Sequence, residues 1–363
     1  MLRRLLLGCG CGALALALTW GPPGSGARTE EQSSFAAEIA ALSEPAGYFD
    51  TDNLISNERS YLEVIPDLKK RGVRGGVYIG VGPDQNFSYI AAIRPDVVYI
   101  VDVRRDNLLL HLLFKAIFTL ARTRVEYLAM LLGRPVPDNT DGWRTASLDR
   151  IVAQIEGGAL DERGVAALRK RLDDVIAKTG IPLTGAELAT VDRFHRRFIE
   201  AGVDLRFQST GRPPQSHYPT YRDLLLATDS AGERSNYLAS EEAYQFVRSL
   251  EQKDLVIPVV GDLSGSRALS AIGTHVRQRG QRLSAFYASN VEFYLFGDGR
   301  FERFVANLNA IPRADNGVII RSVFGRYASY GSSSSSHLQA ADDLLTGFAK
   351  GRYRYYGDLL DGR

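Results

Sequence analysis

Gly80 and Gly82 follow the apolar run Val77-Tyr78-Ile79 and open the segment Gly80-Val81-Gly82-Pro83-Asp84-Gln85-Asn86. A sharp turn after a buried strand needs glycine where φ is positive or where a ligand presses against the main chain. Such a turn is a candidate cofactor site, with Gly80, Gly82, Pro83, Asp84 and Asn86 as its contacts. About twenty residues on, Asp102 ends a second apolar run, where a carboxylate accepts hydrogen bonds from ribose hydroxyls. An ion pair with Arg104 or Arg105 is its alternative. Chemistry beyond binding needs polar groups at the same end of the strands. Asp262 and the run Ser289-Asn290-Val291-Glu292 stand there, which makes Asp262, Asn290 and Glu292 candidates for orienting a nucleophile or taking its proton. Asn57 and Glu58, in the acceptor-rich stretch from Phe49, are further candidates; the alternative is a helix cap by Asp52 or Ser56.

These residues require strands that end together. Val77–Ile79 and residues 96–103 read as two strands joined by a short helix over 86–93, a βαβ unit with parallel strands. Further strands are expected near 203–208 and over 255–260, 283–288 and 318–323. Helices are expected over 240–250, 266–279 and 301–310. Helical spacing from Arg105 to Gly133 and from Ser147 to Lys178 interrupts this alternation. It predicts a helical insertion at about 134–200, hinged at Arg134-Pro135-Val136-Pro137. The fold class is therefore α/β, a mostly parallel sheet with helices on both faces. Residues 28–45 read as a polar linker running into a helix and 46–330 as the main domain. The segment 331–363 reads as a serine-rich loop, Ser332–Ser336, and a tail.

Strand, glycine turn, short helix and strand-end acid in this order resemble the first two strands of a Rossmann-type S-adenosylmethionine-dependent methyltransferase. Residues 49–107 further resemble a poorly characterised bacterial and plant branch with methyltransferase-like folds. The resemblance implies S-adenosylmethionine or a related nucleoside as ligand and an unknown methyl acceptor. It implies a methionine-facing role for Gly80 and Gly82 and a ribose role for Asp102. Asp84 stands in place of a third glycine, where it would hold the ligand's ammonium or block the ligand. A dehydrogenase fits less well, because Gln85 occupies the third glycine of GxGxxG.

Residues 1–27 have the order of an export signal: Arg3 and Arg4, apolar residues to Trp20, then Gly21-Pro22-Pro23-Gly24 and a small-residue end. The twin arginines also resemble the export signal of proteins that cross a membrane already folded. An exported protein, or one anchored by an uncleaved leader, is expected. The net charge of +2 equals those two arginines, so the remainder is balanced and nucleic acid is not an expected partner. Both cysteines, Cys9 and Cys11, fall in the leader, which removes thiolate zinc sites and cysteine nucleophiles from the rest. The five histidines are scattered, without HExxH spacing, so no metal site is expected. Because the cofactor is made in the cytoplasm, a non-catalytic binding or scaffold protein on the same fold is the competing expectation.

Overall fold

A computed structural model describes residues 35–212, 215–328 and 333–360. The leader expected at 1–27 lies outside the described residues. A helix over residues 35–42 (α1) begins the described chain and buries Phe35, Ile39 and Leu42, spaced on one helical face. This part of the expected linker is thus packed on the core.

The sheet has six strands in the order β3-β2-β1-β4-β5-β6: β1 Val77–Gly80, β2 Val97–Asp102, β3 Val256–Val260, β4 Leu283–Ser289, β5 Arg313–Phe324 and β6 Ser334–Ala340. The first five are parallel, and β6 runs antiparallel to β5 at the edge. β1 and β3 are buried throughout, and β2 up to Asp102, as strands covered on both faces must be. From β1 the chain steps outward to β2 and β3, then returns to place β4 on the other side of β1. The strand order therefore reverses between β1 and β4, and a crevice opens there at the carboxyl ends.

Ile65–Lys70 (α2), Gln85–Ile93 (α3), Arg105–Leu120 (α4), Arg124–Leu131 (α5) and Glu241–Gln252 (α10) accompany β1 to β3. Ala268–Gln278 (α11), Val291–Leu295 (α12), Arg300–Ala310 (α13) and Ala341–Ala349 (α14) accompany β4 to β6. Right-handed crossovers place α3 and α10, which touch, on one face and α11 and α13, which also touch, on the other. Helices Leu148–Gly157 (α6), Glu162–Lys178 (α7) and Gly185–Ala201 (α8) form the expected helical block, and Tyr221–Leu225 (α9) follows it. α4 is buried from Asn107 to Phe118 because the sheet covers one side while α7 and α8 cover the other.

Several expectations give way. Residues 203–208 form no strand: Gly202, at φ +55°, ends α8, and only single-residue bridges follow, Thr51 to Ser209 and Arg206 to Thr220. Asp52 and Ser56 cap no helix; Ser56 Oγ accepts the Glu58 N–H, and α2 starts later behind Val64, with Pro66 in its first turn. Within the expected serine loop, Ser334, Ser335 and Ser336 are buried in β6. Ser334 and Ser336 bond Ser60 at 3.0 and 3.2 Å, and Ser336 meets Ser322 at 3.3 Å, so hydroxyl pairing satisfies a strand that has few apolar side chains. The tail docks through Tyr356, Leu359 and Leu360, all buried.

Candidate functional site

A cavity of about 430 Å³ lies over the reversal between β1 and β4, at the carboxyl ends of β1 to β4. That size falls in the range of small-molecule sites. Gly82, Asp102, Asp262, Asn290, Asn57 and Glu58 line it, so six sequence candidates meet in one place. Gly80, Pro83, Asp84, Asn86 and Glu292 do not line it.

The glycine turn is pinned from beneath. Asn86 Nδ2 donates to the carbonyls of Val81, Gly82 and Pro83 at 2.9, 3.2 and 2.8 Å, while its Oδ1 accepts the Tyr78 hydroxyl at 2.8 Å. A Cβ on Gly80 would stand 1.9 Å from Asn86 Oδ1, so Gly80 makes room for Asn86 and not for a ligand. Gly82 differs: its φ of +80° needs glycine, and its missing Cβ leaves backbone bare at the cavity wall beside Gln85. The Gly82 carbonyl also accepts from His111 Nε2 at 3.0 Å. Burial lowers the His111 pKa to about 4, so the ring is neutral, with Nδ1 buried and unpartnered.

Asp84 turns away from the cavity into a tyrosine cluster, accepting the hydroxyls of Tyr221 and Tyr237 at 3.0 and 3.3 Å. Burial raises its pKa to about 6, against those two bonds. It therefore neither holds a ligand's ammonium nor fills the space of a ligand. Glu292 is likewise structural: completely buried, it receives Arg321 Nε and Nη2 at 2.6 and 3.0 Å, a two-pronged ion pair in the interior.

Asp102 is at the expected strand end, but Arg104 holds it. Oδ1 accepts the Arg104 N–H and Nε at 2.9 and 3.2 Å, and Oδ2 accepts Nη2 at 3.1 Å. Both lone pairs of Oδ1 are used and one of Oδ2 remains. Asp262 is similarly engaged, by the Ser264 N–H and hydroxyl at 2.8 Å each and by Arg300 at 2.9 Å. Burial raises its pKa, but these donors outweigh it and hold the carboxyl below its ordinary range, which makes it a weak base.

Glu58 is the opposite case. Buried beneath the cavity, it accepts the hydroxyls of Tyr287 at 2.6 Å, Ser289 and Ser322. Burial raises its pKa, and the serine and tyrosine bonds only partly counter that. A carboxyl with raised pKa at a cavity is suited to general acid–base work. Ser289, at the end of β4, donates its hydroxyl hydrogen bond to Glu58 and adopts φ +51°, unusual for a non-glycine residue.

Sequence reasoning missed Gln85, Tyr287, Ser289, Arg212 and Arg300 as site components, and named Arg104 as the alternative partner of Asp102. Ser289 adjoins the candidate Asn290, and its strand-end position was the available signal. No curated protein matches the chain. A family match covers residues 53–136 and 212–349, and the stretch between them, 137–211, holds the helical block α6 to α8. The two matched stretches make up more than half of the chain, which therefore belongs to the family described as a domain of unknown function, DUF7790.

Proposed function

We propose that this chain binds S-adenosylmethionine or a related nucleoside in the cavity over β1 and β4, on a methyltransferase-like Rossmann fold, and transfers a methyl group to an acceptor. The observation that supports this most is the joint placement of Gly82, bare at positive φ, and Asp102, at the end of β2, on one cavity at the strand-order reversal. The residues suit such a ligand. The open lone pair of Asp102 Oδ2 would meet a ribose hydroxyl, Gly82 would admit the chain of the ligand against the backbone, and Phe49, Phe207 or Tyr294 in the wall would stack on a base. When bound, the cofactor supplies an electrophilic methyl group, and holding an acceptor in line with it contributes most of the rate. Ser289 and Glu58 are the groups of this chain that would receive an acceptor's proton. On this reading the chain is loaded with the cofactor in the cytoplasm, before twin-arginine export, or is retained at the membrane by its leader.

Calorimetric titration of the purified chain with S-adenosylmethionine and S-adenosylhomocysteine tests the proposal. Micromolar binding is expected, weakened about tenfold in Asp102→Asn, which removes a charged acceptor. Asp102→Ala is a poorer choice because it strips Arg104 of its partner. No heat of binding in a well-folded sample refutes the proposal. One observation favours the competing scaffold reading: Arg104 occupies three of the four lone pairs of Asp102. The same titration decides between them.

A further inference from the structure

The charges around the cavity do not cancel. Its charged side chains are four acids and three arginines. Each arginine has an aspartate of its own: Arg104 with Asp102 at 3.1 Å, Arg212 with Asp50 at 2.8 Å, and Arg300 with Asp262 at 2.9 Å. Glu58 is left over. Among the described residues no cation lies within ion-pair distance of it; it is met only by hydroxyls, from Tyr287 and Ser289 on β4 and Ser322 on β5, with the hydroxyls of Tyr78 on β1 and Tyr89 on α3 farther off. A buried carboxylate without a counter-ion is costly, and a cation brought by a ligand would relieve that cost.

The walls repeat the message. Tyr48, Phe49, Phe207, Tyr218 and Tyr294 line the same cavity. Phe49 and Tyr294 meet edge to face at 5.2 Å, as do Phe207 and Tyr218 at 5.1 Å, which turns ring faces in different directions. Aromatic faces around a small cavity attract organic cations whose charge is spread over methyl or methylene groups. Gln85 adds an acceptor: 6 % exposed, it donates Nε2 to the Tyr287 oxygen at 3.2 Å and leaves Oε1 without a partner. Tyr287 has one proton, given to Glu58, which fixes the Gln85 amide in that sense.

We infer that the cavity selects an organic cation, a sulfonium or alkylated ammonium, which sits among the aromatic rings and supplies the counter-charge that Glu58 lacks. This rests on the proposed cofactor reading and sharpens it: S-adenosylmethionine, with its sulfonium, should bind much better than S-adenosylhomocysteine, which has a neutral thioether there. Burial raises the Glu58 pKa and a paired cation lowers it, so binding favours the ionised carboxyl and weakens as pH falls.

The test is calorimetry of the intact chain with S-adenosylmethionine, S-adenosylhomocysteine and choline, at neutral pH and at a lower pH. The wild type should prefer the sulfonium roughly tenfold or more at neutral pH and less at the lower pH. In Glu58→Gln, an isosteric change, the preference should shrink toward unity and lose its dependence on pH. Tyr294→Leu, at the half-exposed rim, is a second variant and should weaken choline about 2- to 30-fold. Equal affinity for the two nucleosides, with no choline binding, overturns the cation inference and leaves the cofactor reading intact. Choline binding that depends on Glu58, without nucleoside binding, does the reverse. Absence of all three removes both.

Discussion

Replacing Asp84 by asparagine should make the protein more stable at neutral pH. The carboxyl is buried beneath the glycine turn, where the Tyr221 and Tyr237 hydroxyls and its own backbone N–H only partly offset the burial, and its pKa rises from 3.8 to about 6. The folded state therefore keeps the proton to higher pH than the unfolded chain does. Its contribution is most favourable below the unfolded pKa, is lost as pH rises through the window from 3.8 to about 6, and stays lost above it. At 1.36 kcal/mol per pKa unit the loss is about 3 kcal/mol at pH 7. The amide oxygen of the introduced asparagine would accept the same hydroxyls without ever ionising. Urea unfolding followed by tyrosine and tryptophan fluorescence should give a gain of about 3 kcal/mol at pH 7, shrinking toward zero near pH 4. Asp84→Gly should do the opposite, because it removes the carboxyl to which the buried Tyr221 and Tyr237 hydroxyls donate, at about 1–3 kcal/mol each. An asparagine variant no more stable than the wild type at pH 7 would refute the placement of the carboxylate in an uncompensated core.

Glu292→Ala should cost about 3–5 kcal/mol in chemical denaturation, since it strands the Arg321 guanidinium in the interior; a loss below about 1 kcal/mol would mean that water reaches the pair. Gly80→Ala should cost about 2 kcal/mol or more by displacing Asn86 from the turn, whereas Gly157→Ala, at the end of α6 with open space around it, should be neutral or slightly stabilising. Thermal melts of the two side by side check this, and equal melting temperatures would contradict the account of the turn. Intact mass of the protein recovered from the exported fraction should correspond to a start after Ala27, and retention of Met1 would remove the cleaved-leader reading.

The strands were legible because a central parallel strand is apolar without interruption, and Val77–Ile79, residues 97–101 and residues 256–260 have that pattern. The site was legible in outline for a related reason: strand ends in an α/β sheet converge, so Gly82, Asp102, Asp262 and Asn290 meet whatever their spacing. Which way a strand-end side chain points was not legible. Asp84 is drawn inward by Tyr221 and Tyr237, and Glu292 by Arg321, partners far away in sequence whose approach depends on the whole fold. Ser334 to Ser336 had the composition of a loop, yet their partners Ser60 and Ser322 make them a strand. The competition between Arg104 and a ribose for Asp102 was visible as an alternative, because the two residues are two positions apart, and geometry gave the arginine the larger share.

The lining of the cavity falls partly inside and partly outside the stretches that match the family. Glu58, Gly82, Asp102, Asp262 and Ser289, which make its floor, lie inside the stretches that match the family. Tyr48, Phe49, Asp50, Phe207 and Ser209, at its wall, lie outside them. Those outer segments hold each other, the Asp52 N–H donating to the Gln208 carbonyl at 3.0 Å and the Thr210 N–H to the Asp50 carbonyl at 2.7 Å, and Arg212, the first residue of the second matched stretch, pairs with Asp50 at 2.8 Å. The proton chemistry of Glu58 and Ser289 lies wholly inside the matched stretches, whereas the rings are shared, Tyr218 and Tyr294 inside them and Tyr48, Phe49 and Phe207 outside. Substitution of Glu58 should therefore change whether a cationic ligand binds at all, while substitution of Tyr48, Phe49 or Phe207 should change which one.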